Sequence, residues 1–102
     1  MEKINNTIES VILQKIAIII DIMMNILNCS YSDAYEVIIK SKTFHYLQQK
    51  DYSTLYDSPQ ANLASIGEEL RQSNNPLGYK ITEDRIKKAM LNNNKQLTEV
   101  KK

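Results

Sequence analysis

Between Val11 and Leu27 the chain places 13 apolar residues in 17 positions, interrupted only by Gln14, Lys15, Asp21 and Asn25. Ser10, Gln14, Asp21 and Asn25 follow one another at steps of 4, 7 and 4, which lays them along one narrow stripe of an α-helix. Nearly all the remaining circumference is apolar, so this helix has to be covered on several sides. It is predicted to be the central element of a bundle or half of a dimer interface. Asn6 and Glu9 have the spacing of an N-cap and capping-box pair, so the helix is expected from about Asn6 to Leu27.

Shorter elements follow. Ser30 with Asp33 reads as a second capping box, opening a helix through about Lys40 with Tyr31, Ala34, Tyr35 and Ile38 at i, i+3, i+4 and i+7. Ser41 or Thr43 restarts a short helix over Phe44 and Leu47. Asp51 to Asp57 shows no helical period and is expected to be an ordered loop pinned by Leu55 and Tyr56. Ser58-Pro59 is the clearest start signal, a serine cap with proline at the first helical position, where the missing N–H had no partner to lose. Leu63, Ile66, Gly67 and Leu70 then form a buried face.

Ser73 to Gly78 is linker-like, with turn chemistry at almost every position. It divides the chain into a helical body, residues 1–72, and residues 73–102, expected to hold a linker, a short basic helix and a tail. Thr82 caps that last helix, with Glu83 and Asp84 in its first turn and Lys87 and Lys88 farther on, an order that suits the helix dipole. Ile86, Ala89 and Met90 make only a thin apolar face, and Asn92 to Asn94 are expected to fray the end. The fold class expected is all-α: a small bundle of four to five helices around a long apolar N-terminal helix.

Composition narrows the picture. The chain has 102 residues, 42% hydrophobic and 25% charged, which fits one ordinary soluble domain. With two Gly and two Pro it lacks the turn residues of a β-sandwich. Cys29 is the only cysteine, so no intrachain disulfide forms and a cytoplasmic location is expected. Lys15 and Asp21 would each cost about 2.5 to 3.5 kcal/mol near a bilayer centre, so the apolar helix is not expected to span a membrane. Residues 1–60 carry five Lys against seven acids, whereas residues 61–102 carry eight Lys plus Arg against five. The C-terminal end is therefore basic. Ile, Asn and Lys fill 35 positions, all with AT-rich codons, which suggests a bacterial or phage source of low GC content.

No catalytic, metal or nucleotide motif stands out. One histidine, His45, and one thiol, Cys29, do not make a metal set, and Gly67 and Gly78 are isolated. No cofactor and no enzymatic activity are expected. Asp21 is read as a solvent-edge carboxylate. Five of the six tyrosines, Tyr31, Tyr35, Tyr46, Tyr52 and Tyr56, fall in a short stretch of a chain without Trp. Tyrosine combines an apolar ring with a polar tip and is enriched in interfaces, so these five, with Lys87 and Lys88 of the basic end, are the candidate partner-contact residues.

Ser-x-x-Asp-Ala-Tyr at Ser30 to Tyr35, Ser-Lys-Thr-Phe-x-x-Leu-Gln at Ser41 to Gln48, Leu-Tyr-Asp-Ser-Pro at Leu55 to Pro59 and Glu-Glu-Leu at Glu68 to Leu70 follow the greasy helix in order. Over about residues 10–72 this pattern resembles a family of small uncharacterised bacterial helical domains, domain of unknown function 3791. The resemblance implies a small helical protein of low-GC bacteria and mobile elements, some members being encoded beside toxin-like proteins, and hence a binding or neutralising role.

The expected function is a non-enzymatic protein–protein interaction module whose partners are another protein and a second copy of itself. Self-association is expected because Ile12, Ile16, Ile19, Met23 and Ile26 share one face while Leu13, Ile20 and Leu27 point elsewhere. The alternative is a small helix-turn-helix-like DNA-binding regulator built on Lys40-Ser41-Lys42-Thr43. Gln48 and Gln49 would read bases, and Lys40, Lys42, Lys50 and the basic end would meet phosphates.

Overall fold

The structure, a computed structural model, describes the backbone of residues 2–49 and 52–101 and the side chains of residues 8–49 and 54–92. Among these residues it holds six α-helices: α1 (Glu2–Leu27), α2 (Tyr31–Ile39), α3 (Lys42–Gln48), α4 (Tyr52–Tyr56), α5 (Pro59–Gln72) and α6 (Glu83–Lys101). A single 3₁₀ turn, Pro76–Tyr79, stands between α5 and α6. The fold is all-α around a long apolar N-terminal helix, with no strand among the described residues. It is a flat body of 44 × 41 × 23 Å, its thin dimension close to two helix diameters.

α1 packs against α2, α5 and α6. Ile19, Ile20, Ile22 and Met23 are fully buried, and Ala34 and Ile38 of α2 meet them from one side. Leu63 and Ile66 of α5, with Ile81, Ile86 and Ala89, complete the same cluster. Residues 8–27 are long and apolar enough to cross a membrane, and here the C-terminal half of that segment is the core of the bundle. Asp21 and Asn25 lie exposed on the narrow polar stripe, and Val11, Leu13 and Ile18 are exposed as well.

Helix starts follow the cap chemistry. The Ser30, Ser41 and Ser58 hydroxyls accept the N–H groups of Asp33, Phe44 and Ala61, each at 3.0 to 3.1 Å. Ser41, not Thr43, is thus the α3 cap. Thr82 Oγ1 accepts from Arg85 N at 3.3 Å to open α6. At the end of α5, Asn74 takes a left-handed φ of 60°, Asn75 N bonds Leu70 O at 2.8 Å, and Asn74 N bonds Arg71 O at 3.1 Å. This pairing closes the helix in the Schellman manner, with asparagine in place of glycine.

Four features differ from the sequence expectation. α1 is already helical from Glu2, so Asn6 lies inside the helix rather than capping it. Tyr52–Tyr56 forms one short helix, α4, where a loop was expected, and the helix count rises to six. α6 runs on through Asn92 to Asn94, where fraying was expected. Lastly, Ile81, Ile86 and Ala89 belong to the main core, so the segment after the linker-like stretch is anchored more firmly than its thin apolar face suggested.

The anchoring has a visible cause. Gly67 on α5 lets Ile81 come so close that a Cβ there would stand 2.5 Å from the Ile81 carbonyl oxygen. Gly78 is likewise pressed against the Arg71 backbone, and the Arg71 guanidinium donates to Gly78 O at 2.7 Å and Ile81 O at 3.1 Å. Two glycines and one arginine thus fold the linker-like stretch back onto α5.

Candidate functional site

Lys15 sits on the same side of α1 as Ile12, Ile19 and Ile22, and only 6% of it is exposed. Its ammonium donates to three backbone carbonyls, Thr54 O at 2.9 Å, Leu55 O at 2.6 Å and Asp57 O at 2.6 Å. An ammonium has three protons, and all three are used. These acceptors are carbonyls at the end of α4, which carry the negative end of the helix dipole. Burial pushes the Lys15 pKa below its ordinary 10.5, while the Asp57 carboxylate pulls it the other way. Lys15 therefore clasps the α4–α5 junction onto α1.

Asn62 lies directly behind this clasp. Its Nδ2 donates to Thr54 O at 3.3 Å, so that one carbonyl accepts from both Asn62 and Lys15. Its Oδ1 is buried and has no hydrogen-bond partner among the described residues. Flipping the amide would set oxygen against oxygen at Thr54, so the orphan acceptor is fixed by its own donor.

In front of Asn62, a cleft of about 330 Å³ opens between α3, the end of α4 and α5. Tyr46 and Thr43 line it from α3, Asp57 from the junction, and Asn62 and Glu68 from α5. Glu69 at its far wall is already engaged: its carboxylate accepts Lys42 N at 2.7 Å, Thr43 N at 3.1 Å and Thr43 Oγ1 at 2.7 Å. The carboxylate thus caps the positive end of α3. A second hollow of about 370 Å³ lies on the other side of this cap, lined by Val37, Ser41, Ile66 and Leu70 among others.

The tyrosines do not form one patch. Tyr31 and Tyr35 stack on the outer face of α2 with ring centroids 6.2 Å apart and planes 13° from parallel. They are 58% and 41% exposed, and Ile39, four residues on, continues the row at 40%. Tyr46 belongs instead to the cleft, and Tyr56 is 81% exposed at the end of α4. The side chain of Tyr52 lies outside the described residues. Lys87 and Lys88 are exposed on α6. His45 is exposed and shares a 3.1 Å contact with Gln49, and Cys29 is half-buried.

Sequence reasoning missed Lys15, Asn62 and Glu69. A signal existed for the first, since a lysine in step with Ile12 and Ile19 falls on the covered face and must find acceptors. Nothing local announced the other two, whose partners lie 8 and 26 to 27 residues away. No protein-family model, curated protein or solved structure matches the chain.

Proposed function

We propose that this protein acts by binding another protein, without chemistry of its own, through the outer face of α2. The observation that carries this reading is the row Tyr31, Tyr35 and Ile39, set four residues apart along the exposed flank of α2 beside the buried Ala34 and Ile38. Two stacked rings at a helix surface are rigid, amphipathic and already ordered, so a partner covering them gains apolar burial at little entropic cost. The salt bridge between Glu36 and Lys40 at 3.2 Å lies on the same exposed helix and supplies polar groups for a rim.

Val11 and Ile18, at i and i+7, are exposed together on one side of α1, and Leu13 is exposed on another. They support self-association, on a face other than the one the sequence singled out, because Ile12, Ile19 and Met23 are already covered within the chain. A cytoplasmic setting goes with this reading. Neutralisation of a toxin-like partner is a finer version of it and draws on the resemblance of residues 10–72. DNA binding is the weaker alternative, since the Glu69 carboxylate occupies the N-terminus of α3, where a phosphate-approaching helix would present free N–H groups.

The test is affinity capture from the source cells with tagged wild type and with the double variant Tyr31→Ser, Tyr35→Ser. Both rings are exposed, so the fold should stay within about 0.5 kcal/mol of wild type. A protein retained by wild type and lost by the variant supports the reading. An unchanged set of captured proteins removes α2 as the docking face.

A further inference from the structure

We propose that the cleft in front of Asn62 binds a guanidinium group, as carried by an arginine side chain of a partner polypeptide. This adds to the partner-binding reading but rests on different residues, since no α2 side chain lines the cleft. Three observations converge on it.

The first is the orphan acceptor. Asn62 is 2% exposed, its Nδ2 is committed to Thr54 O, and its Oδ1 has no donor among the described residues. Asn62 belongs to the lining of the cleft, and its unmet acceptor, with under 1 Å² accessible, is a buried polar atom that calls for a donor.

The second is charge. Among the described residues, Asp57, Glu68 and Glu69 line the cleft against one cation, Lys42. Glu69 is spent on the N-terminus of α3, whereas Glu68 is exposed and forms no salt bridge among the described residues. The Asp57 carboxylate is partly balanced by Lys15 behind it. What remains is a negative rim over a carbonyl-type acceptor, which repels anions and attracts a donor-rich cation.

The third is the aromatic wall. Tyr46 is 46% exposed and is the one aromatic residue among the described residues of the lining. A guanidinium is planar, stacks on an aromatic face and spreads five N–H donors in a fixed fork. It can therefore lie along Tyr46 while donating to acceptors on different walls. An ammonium is a compact point charge and cannot span them together.

The experiment titrates the full chain, labelled for NMR, with N-acetyl-arginine amide, and in separate arms with the citrulline and lysine analogues. Citrulline keeps the shape and removes the charge; lysine keeps the charge and removes the fork. The expected result is saturable shifts of the Asn62 side-chain amide and the Tyr46 ring with the arginine probe, and none with citrulline. Glu68→Gln, at an exposed position that leaves the fold intact, should weaken that binding about threefold. Absence of saturable shifts, an equal response to citrulline or lysine, or unchanged affinity in Glu68→Gln would overturn the proposal. None of these outcomes bears on the α2 face, which fails or stands by the tyrosine variants alone.

Discussion

A lysine on the covered side of a helix persists only where acceptors take the place of its water. At Lys15 these are three carbonyls supplied 39 to 42 residues later in the chain. Lys15→Met keeps the apolar stem and removes the ammonium that the Leu55 and Asp57 carbonyls accept from and that Thr54 O shares with Asn62. The expected loss is about 2 to 3 kcal/mol in a urea titration. The same pair of proteins reports the pKa. Burial lowers it from 10.5, so just below 10.5 the unfolded chain holds a proton that the folded chain has already shed. Stability from this group therefore rises with pH across that window and is lost as pH falls through the folded pKa. The wild type should gain on Lys15→Met between neutral pH and about pH 10. A gap that narrows instead would mean that the carbonyls and Asp57 outweigh desolvation. The hydrophobic pattern marked Lys15 as an interruption of the apolar run but could not show which carbonyls would receive it. Asn62 was less legible still, because an asparagine inside α5 has no pattern to violate.

Among the elements, what was legible is what local chemistry decides. Ser30, Ser58 and Thr82 each begin a helix through bonds that reach only three residues ahead, Pro59 fills the first position of α5, and all are where the sequence placed them. α4 was not legible because its hold on the body comes from Lys15, far upstream, and not from any apolar period of its own. α3 illustrates the mixture: Ser41 caps it locally, but Glu69 of α5 supplies a second, tertiary cap. Glu69→Ala should accordingly cost about 1 to 3 kcal/mol, while Glu68→Ala, one residue away and exposed, should change the urea midpoint little. Equal effects at the two positions would show that the cap contributes nothing. Gly67 offers a test by sign. In a free helix Gly→Ala gains about 1 kcal/mol. Here the new methyl would meet the Ile81 carbonyl oxygen at 2.5 Å, backbone that cannot rotate aside. Gly67→Ala should therefore destabilise, and a raised thermal midpoint would mean that Ile81 does not pack where the structure has it.

At the scale of the whole molecule, the question is whether residues beyond Arg71 are an attachment or a part of the core. Composition favoured attachment: the stretch Ser73 to Gly78 reads as a linker, and the helix after it is rich in lysine. The tally of apolar side chains was fair but overlooked their depth. Ile81 and Ile86 are essentially fully buried against α1 and α5, and each such side chain is worth about 1.5 to 3 kcal/mol. Arg71 adds two hydrogen bonds into the same segment, and the Schellman closure at Asn74 directs the chain back along α5. Against a total stability of about 5 to 15 kcal/mol for a domain, losing two buried isoleucines and uncovering Ile19, Ile20 and Ile66 is not a small change. Truncation after Arg71 should lower the thermal midpoint sharply, abolish cooperative unfolding or send the chain into aggregates that bind apolar dye. Truncation after Asn92 should do much less, because Ile81, Ile86 and Ala89 all remain. If the shorter chain keeps a midpoint near that of wild type by calorimetry, the core closes without α6 and the basic helix is free to serve a partner instead.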